Sequence, residues 1–130
     1  MGGRTGHGRT DDGALDVELR PPADGGGTNP EQLFAIGYGA CFASALGVCA
    51  RRARIESGPI TIDVRVHLNP FEDRRYALSV DLDVHLPELH VPEEAVALVA
   101  QAHRVCPYST ATHGNIAISL TANGNPVQLD

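Results

Sequence analysis

The fold is decided by one stretch, residues 29–54, which reads NPEQLFAIGYGACFASALGVCARRAR. Asn29 is a good helix cap, Pro30 suits the first helical position, and Glu31 is favourable in the first turn. The apolar residues that follow cover nearly the whole circumference of the helix, and a helix of this kind must be surrounded by other elements. We therefore predict a central helix from Asn29 to about Arg54 that packs in part against a second subunit.

Segments in which apolar and polar residues alternate lie on both sides of this helix. They are residues 14–20, 60–69, 78–86 and 116–122. Alternation with a period of two predicts half-buried strands, and the short connection 70–75 predicts an antiparallel hairpin. Pro92 opens a second amphipathic helix that Pro107 stops, whereas residues 1–13 and 21–28 are polar, Gly-rich and predicted to be loops. This order of elements predicts an α+β fold with antiparallel sheet.

The composition limits the classes of protein to which the chain can belong. Its 130 residues suit a single domain, and we expect residues 1–130 to form one. With 42% hydrophobic and 20% charged residues, the chain can bury a core and is not a disordered sequence. Sixteen acidic residues against ten Lys plus Arg give a formal net charge of -6, so nucleic acid is not an expected partner.

The length of the apolar stretches bears on the location of the protein, and the number of cysteines bears on its thiol chemistry. No stretch approaches the roughly 20 uninterrupted apolar residues of a membrane span, and the first residues lack the apolar segment of a signal peptide. We therefore expect a cytoplasmic protein without a membrane partner. The 3 cysteines are an odd number, which argues against a structural disulfide framework and leaves thiols that are either reactive or simply buried.

Three segments carry recognisable motifs. They are GGR at 2–4 followed by LDV at 15–17, GTNPEQLF at 27–34 followed by GY at 37–38 and ACF at 40–42, and AHRVCPYSTAT at 102–112 followed by GNI at 114–116. Together they closely resemble the signatures of the OsmC/Ohr family, specifically its organic hydroperoxide resistance (Ohr) branch. Two differences stand out: the family usually has one more strand before the arginine turn, so the amino-terminal strand is shortened here, and it usually has an arginine where His113 stands.

The resemblance implies an OsmC-like fold, in which antiparallel sheets wrap around the long central helices of an intertwined homodimer. It also implies a thiol peroxidase that reduces organic hydroperoxides to alcohols. In that reaction Cys41 is the attacking thiolate, Cys106 is the resolving thiol, and Arg4 and Glu31 are the pair that activates Cys41. The implied reductant is a dithiol, dihydrolipoamide or a lipoylated protein, and no cofactor is needed.

Residue chemistry supplements this assignment. Discrimination against hydrogen peroxide requires apolar surface that only an organic substituent can cover, and the candidate pocket residues are Phe34, Tyr38, Phe42, Phe71 and Tyr108. Cys49 matches no family motif and is expected in the core. His103 and Cys106 are three apart on a helix, but no second pair supports them, so we expect no metal site.

The spacing of Glu31 and Cys41 bears on assembly. They are ten residues apart on one helix, or roughly 15 Å at 1.5 Å per residue, which is beyond the reach of a glutamate side chain. Either Arg4 spans most of that gap or the glutamate comes from an antiparallel helix of a partner subunit. We favour the second alternative, with the small residues at the helix crossing: Gly37, Gly39, Ala40 and Ala43.

Other interpretations of the same residues stay open. By residue type alone, Arg9 or Arg20 could replace Arg4 as the activating cation. A protein of the same fold could sense oxidants or respond to stress without efficient turnover, and steady-state assays would reveal this. A non-catalytic dimeric domain would have only inert core thiols, since most buried cysteines behave as small hydrophobes.

Overall fold

The computed structural model describes residues 4–129. The helices and strands follow one another as β1 (Gly6–Arg9), β2 (Asp16–Leu19), α1 (Pro30–Ala53), β3 (Thr61–Phe71), β4 (Arg75–His85), α2 (Pro92–Val105), α3 (Pro107–Thr112), β5 (Ala117–Ala122) and β6 (Asn125–Pro126). The chain divides between Phe34 and Ala35 into two compact units, each of which is described by itself. The predicted α+β class is confirmed.

The first unit is built on an antiparallel pair of short strands. β1 and β2 pair from Gly6 opposite Leu19 to Arg9 opposite Asp16, and Leu19 also forms a parallel bridge with Thr28. The sequence analysis placed β1 in a loop, which is wrong. Its residues Gly-His-Gly-Arg show no alternation of apolar and polar side chains, so the pattern gave no signal for a strand. Backbone pairing with β2 and contacts between charged side chains stabilise this strand, and burial of apolar side chains does not.

The start of α1 follows the predicted capping pattern. The side-chain oxygen of Asn29 accepts a hydrogen bond of 2.8 Å from the backbone N–H of Gln32, which satisfies one of the free donors of the first turn. Pro30 opens the helix and Glu31 lies in its first turn. The predicted helix 29–54 therefore agrees with the observed Pro30–Ala53 within a residue at each end.

Only one side of α1 is covered within the chain. Its buried residues are Tyr38, Phe42, Ala45, Leu46, Cys49 and Ala50. Their spacing of three and four marks a single helix face. On the opposite side Ile36 is 70% exposed and Ala40 is also exposed. The apolar circumference inferred from the sequence is therefore half covered and half open in a single chain.

α1 also has the length and composition of a membrane-crossing helix, which the sequence analysis did not expect. Its 24 residues reach a mean hydropathy of 1.8 over the most apolar window, of which 33% is buried. Helices in the core of water-soluble proteins meet the same two criteria, so length and hydropathy alone are weak evidence for a membrane. The expectation that no segment resembles a span is corrected by this helix.

The sheet of the second unit has the strand order β3-β4-β5-β6. β3 and β4 form the predicted antiparallel hairpin, from Thr61 opposite His85 to Phe71 opposite Arg75. β4 and β5, however, pair in parallel, and this one pair differs from the antiparallel sheet expected from the sequence. Alternation along a strand carries no information about its direction, and parallel neighbours need a crossover connection, which α2 and α3 supply here.

α2 presents one apolar face, as predicted. Its buried residues are Ala95, Leu98, Val99 and Ala102, and the core also contains Val80, Leu82, Val84 and Leu120 of the sheet. Pro107 ends α2 as expected, but it also begins the short helix α3, which the sequence analysis missed. A proline at the first helical position costs no hydrogen bond, so it can close one helix and open the next.

The outward side of the β3–β4 hairpin is polar and cross-linked by charges. Nη2 of Arg65 lies 2.6 Å from Asp83, Nε2 of His85 lies 2.9 Å from Asp63, and Nε2 of His67 lies 2.8 Å from Asp81. Opposite charges on neighbouring strands stabilise the pairing modestly. We call this surface the outer sheet face.

Candidate active site

Two free thiols meet inside the second unit. The Sγ atoms of Cys41, on α1, and Cys106, between α2 and α3, are 3.6 Å apart. Cys41 is partly exposed, whereas Cys106 is fully buried. A disulfide bond has an S–S length of about 2.05 Å, so a shift of the order of 1.5 Å would join the two sulfurs.

The junction of α2 and α3 fixes Cys106. Its backbone N–H donates to the carbonyl of Ala102 at 2.8 Å, and its own carbonyl accepts from the N–H of Thr110 at 3.0 Å. Burial raises the pKa of the Cys106 thiol, although backbone N–H groups of Ser109 and Tyr108 act in the opposite direction. The protonated Cys106 thiol is therefore positioned to donate a hydrogen bond to the sulfur of Cys41.

A tyrosine one turn before Cys41 ties α1 to α3. The Tyr38 hydroxyl lies 2.8 Å from Oγ of Ser109 and 3.4 Å from Oγ1 of Thr112, and all three side chains are buried. Buried hydroxyl groups that bond to one another are costly to separate. This network fixes α3 next to the helix turn that carries Cys41, and thereby the spacing of the two thiols.

Two further features bring α1 and α3 together: the packing of two tyrosine rings and the absence of a side chain at Gly37. The rings of Tyr38 and Tyr108 are 5.7 Å apart and tilted by 46°, a favourable aromatic geometry. A Cβ atom on Gly37 would lie only 3.0 Å from the hydroxyl oxygen of Tyr108. Gly37 therefore makes room for Tyr108 within the chain, and its place at a crossing between subunits stays a prediction.

Sequence reasoning missed the role of this network. It took Tyr38 for a pocket residue, and it gave Ser109 and Thr112 no function. The available signal was Tyr38 itself, because the hydroxyl of a buried tyrosine usually has a hydrogen-bond partner. The partner, however, is 71 residues away in the chain, and no local pattern could identify it.

In the first unit Arg4 and Glu31 form a bidentate ion pair. Nη2 of Arg4 lies 2.6 Å from Oε1 of Glu31, and Nη1 lies 3.1 Å from Oε2. The side chain of Arg4 is 54% exposed and that of Glu31 is 16% exposed. The hydrogen bonds from the guanidinium lower the pKa of Glu31, so the pair is ionised at neutral pH.

This contact bears on the two alternatives for the arginine. Arg4 meets Glu31 of its own chain, so a glutamate from a partner subunit, the alternative that we favoured, is not needed to hold it. Gly2 and Gly3, the rest of the predicted arginine turn, lie outside the described residues. Arg9 and Arg20, the other candidate cations, pair instead with Asp16 and Glu18 on β2.

The five predicted pocket residues differ in their exposure. Tyr38 and Phe42 have no exposed surface and belong to the core, which corrects their assignment to a pocket wall. Phe34 is half-buried in the first unit. Phe71 is exposed at the end of β3 with the Arg75 guanidinium 4.7 Å from its ring centre. Tyr108 is exposed two residues after Cys106, and its place in a substrate pocket stays a prediction.

The remaining candidate groups are separate from the thiol pair. Cys49 is 1% exposed and lies in the core, as expected. Within residues 4–129, no group of three or more His, Cys, Asp or Glu side chains could hold a metal ion. His113 lines a cavity of about 390 Å³ together with His103, Arg104 and Ser109.

The motifs and the thiol geometry have counterparts in known proteins. The family model of OsmC-like proteins matches residues 23–121 of the chain. The chain belongs to the OsmC-like family. Both members of the thiol pair lie within the matched segment.

Relatives within the family point to the organic hydroperoxide resistance proteins. A Staphylococcus aureus protein described as organic hydroperoxide resistance protein-like is 42% identical over 127 residues, which cover 95% of this chain and 90% of that protein. This level of identity places the OsmC-like chain in the organic hydroperoxide resistance branch, and that membership suggests a role in peroxide detoxification. The family resemblance drawn from the motifs is confirmed.

Solved structures agree with this assignment. An organic hydroperoxide resistance protein of Vibrio cholerae, with captopril bound in one of its active sites, is 40% identical and superposes with a TM-score of 0.91 over 98% of this chain and 90% of that one. OhrB of Bacillus subtilis is 44% identical, with a TM-score of 0.88 over 93% and 92% of the two chains. The OsmC-like fold expected from the sequence is therefore confirmed.

Proposed function

We propose that this OsmC-like protein is a cysteine-based reductase of organic hydroperoxides. One observation carries the proposal: two free thiols of unequal exposure have their sulfurs 3.6 Å apart. A partly exposed sulfur can meet a substrate, and a buried neighbour within a short shift can trap the oxidised product. The organic hydroperoxide substrates are inferred from the branch of the family to which the chain belongs.

In the first step the Cys41 thiolate attacks the distal oxygen of the hydroperoxide. The O–O bond breaks, an S–O bond forms, and the sulfur becomes a sulfenic acid. The alkoxide that leaves takes a proton and departs as the alcohol. Cys106 suits the second role, because burial raises the pKa of its thiol and keeps it protonated and away from the substrate.

In the second step the sulfur of Cys106 attacks the sulfenic acid of Cys41. An S–S bond forms, the S–O bond breaks, and hydroxide leaves with the thiol proton as water. An external dithiol then reduces the disulfide by thiol exchange and is itself oxidised to a disulfide. From the family resemblance, we propose that this reductant is dihydrolipoamide or a lipoylated protein of the cytoplasm.

The Arg4–Glu31 pair is proposed to assist the first step. A guanidinium stays charged at all physiological pH values and favours a nearby thiolate. Glu31 holds it with two hydrogen bonds, which orients the planar cation and limits its freedom. The assignment of this pair to Cys41 comes from the family resemblance.

We also propose that the protein acts as a homodimer. The open side of α1 forms a groove of about 530 Å³ with β3, lined by Ile36, Ala40, Ala43, Ile62 and Val64 among others. An apolar helix face of this kind is typical of a surface that a second chain covers. Sedimentation should therefore give a dimer, and an active monomer would contradict this proposal.

A mixing experiment decides whether the ion pair of one chain serves the thiol of the other. Cys41→Ser chains, which are expected to be inactive, and Glu31→Ala chains, whose first step is expected to be slowed, are combined under conditions in which subunits exchange. If sites are shared, the heterodimer regains one intact site with the wild-type rate. If exchange is proven and the rate does not rise above that of Glu31→Ala alone, each pair serves its own chain and the shared site is refuted.

The reaction itself is tested by counting thiols under anaerobic conditions before and after one equivalent of an alkyl hydroperoxide. We expect the loss of two thiols per chain, one equivalent of alcohol, and a Cys41–Cys106 disulfide in the peptide map. A disulfide that includes Cys49, or no thiol loss, would refute the proposal. Steady-state turnover with a dithiol then separates a reductase from a protein that is oxidised once and only senses the oxidant.

A further inference from the structure

A histidine on β1 is held between two carboxylates of β2. Nε2 of His7 lies 2.6 Å from Oδ1 of Asp16, and Nδ1 lies 2.7 Å from Oε1 of Glu18. A neutral imidazole has a single N–H donor, so both contacts are hydrogen bonds only when the ring carries two protons. This arrangement therefore selects the imidazolium form of His7.

The strand that supplies these carboxylates lies between the two segments that carry the ion pair. β1 pairs with one edge of β2 through Gly6 and Leu19. On the other edge, the N–H of Thr28 donates to the carbonyl of Glu18 at 2.8 Å, and the N–H of Arg20 donates to the carbonyl of Thr28 at 2.9 Å. β2 is thus the spacer that separates β1 from the start of α1.

Arg4 and Glu31 extend from the two sides of this spacer. Arg4 comes two residues before β1, and Glu31 comes three residues after Thr28. A Cβ atom on Gly27 would lie 2.7 Å from the carbonyl oxygen of Glu18, so the absence of a side chain lets this segment pack directly on β2. The alignment of the ion pair therefore depends on how firmly β1 is held to β2.

We propose that His7 is a positioning residue: as an imidazolium it clamps β1 to β2 and so holds Arg4 opposite Glu31, and it releases this clamp when it loses a proton. The first half of the proposal concerns the hairpin alone. Its consequence for peroxide reduction rests on the proposed function, in which the ion pair assists Cys41.

The charged groups around His7 determine how large the effect of its deprotonation is. The facing carboxylates of β2, Asp16 and Glu18, also contact Arg9 at 3.8 Å and Arg20 at 3.2 Å. Both arginines stay charged, so the hairpin keeps part of its charge pairing when His7 is neutral. His7 is itself about half exposed, and exposed pairs have small effects, so we expect changes of about two- to fivefold.

The direction of the pH dependence follows from the hydrogen bond to Glu18, which raises the pKa of His7 above its ordinary value of 6.5. The clamp is complete below that ordinary value and is lost as the pH rises through the raised one. Ionisation of a thiol increases the rate in the same pH range, so the two effects oppose each other and can be separated by variants.

The test compares His7→Gln, which is neutral, and His7→Arg, which is always charged, with the wild type. The matched control is His85→Gln, because His85 contacts a single carboxylate, Asp63, on the outer sheet face. Peroxide reduction is measured between about pH 6 and about pH 9. The His7 ring is titrated by NMR, and exchange of the backbone amides of β1, the strand that pairs with β2, is followed in the same samples.

We expect the His7 ring to titrate above 6.5, and the β1 amides of His7→Gln to exchange about two- to fivefold faster than those of wild type at about pH 6. The activity ratio of wild type to His7→Gln should be about two to five at that pH and fall towards one at about pH 9. His7→Arg should match wild type at the lower pH and exceed it at the higher, while His85→Gln matches it throughout.

Two results would overturn the proposal. One is a His7 ring that titrates at or below 6.5, with exchange of the β1 amides unchanged in His7→Gln. The other is an activity ratio that does not depend on pH, which would show an ordinary structural effect. The NMR and exchange measurements need no peroxide, so they decide the clamp even if the protein fails to reduce hydroperoxides and the proposed function is wrong.

Discussion

The thiol pair and the Arg4–Glu31 pair are held in place by opposite means. In the unit that holds Cys41 and Cys106 the contacts are buried: the Tyr38–Ser109 hydrogen bond joins α1 to α3, and the apolar face of α1 lies in the core. The ion pair depends on exposed charges and on a two-stranded hairpin with half-exposed side chains. Buried hydrogen bonds and close packing resist changes of salt and pH, whereas exposed charge pairs are screened.

This difference suggests a division of labour. In the proposed reaction the two sulfurs come within bonding distance and need a rigid support, because an error of about 1 Å can cost on the order of 10²-fold in rate. In the same proposal the Arg4 cation only adjusts the charge near Cys41, so it tolerates a looser support. Each of the following experiments weakens one region and asks whether the other is affected.

The largest effect is expected from the thiols themselves. Cys41→Ser should abolish peroxidase activity, whereas Cys106→Ser should consume about one equivalent of hydroperoxide and then stop in a sulfenic or more oxidised state. Single-turnover consumption of peroxide and mass spectrometry of the product check this. Cys49→Ser is the matched control and should turn over within a few fold of wild type. Equal loss of the first turnover in both variants would contradict the assigned order.

The second experiment loosens the buried support. Tyr38→Phe removes the hydroxyl that bonds Ser109 and Thr112, and we expect a loss of about 1–3 kcal/mol in the free energy of unfolding. Formation of the Cys41–Cys106 disulfide should slow in parallel, because α3 is less firmly held. Urea denaturation and stopped-flow thiol measurements give the two values. Tyr76→Phe, at a tyrosine that is 63% exposed, should change stability by no more than about 0.5 kcal/mol.

The third experiment screens the exposed support. Raising the salt concentration from about 0.05 M to about 1 M should slow the first step about two- to fivefold in the wild type. Arg4→Ala has no ion pair for salt to screen, so its first step should be slow at low salt and should not slow further as the salt concentration rises. The rate of disulfide formation after oxidation should not change with salt. If Arg4→Ala shows a salt effect of the same size as the wild type, the ion pair is not the cause of that effect.

The smallest effect concerns Glu31 and acid. Because the Arg4 guanidinium lowers the pKa of Glu31, the pair stabilises the fold fully above the ordinary pKa of about 4.5. This contribution is lost as the pH falls through the lowered value. Wild type should exceed Glu31→Gln in free energy of unfolding by less than about 1 kcal/mol near neutral pH, with no difference in strong acid. Glu56→Gln, at an exposed loop position, should show no such pH-dependent difference.

Local patterns predicted the elements that a single segment determines. The cap at Asn29 and the two prolines, Pro92 and Pro107, placed the helix ends within a residue or so. The strict alternation of β3 and β4 predicted both the strands and their hairpin. In each case the deciding contacts lie within a few residues of one another, so the sequence contains the information in one place.

What the sequence did not reveal depends on distant partners. β1 has no apolar residue to signal it, and the direction of β5 is set by a crossover, not by its own residues. The thiol pair was found only through the family resemblance, since neither cysteine has a local signature of reactivity. Tyr38 was assigned to a pocket, and the contact of Gly37 with Tyr108 was not foreseen, because their partner α3 could not be identified from the residues of α1.

The parallel pairing of β4 with β5 has a consequence for how the chain folds. The α1 helix and the β3–β4 hairpin are formed from contacts close in sequence, and they precede the crossover during synthesis. Loop closure over α2 and α3 is slower, because non-local pairing is entropically costly until its contacts form. We therefore expect Cys106 to reach Cys41 only late in folding, so that the nascent chain holds the Cys41 thiol for a time without the Cys106 thiol beside it.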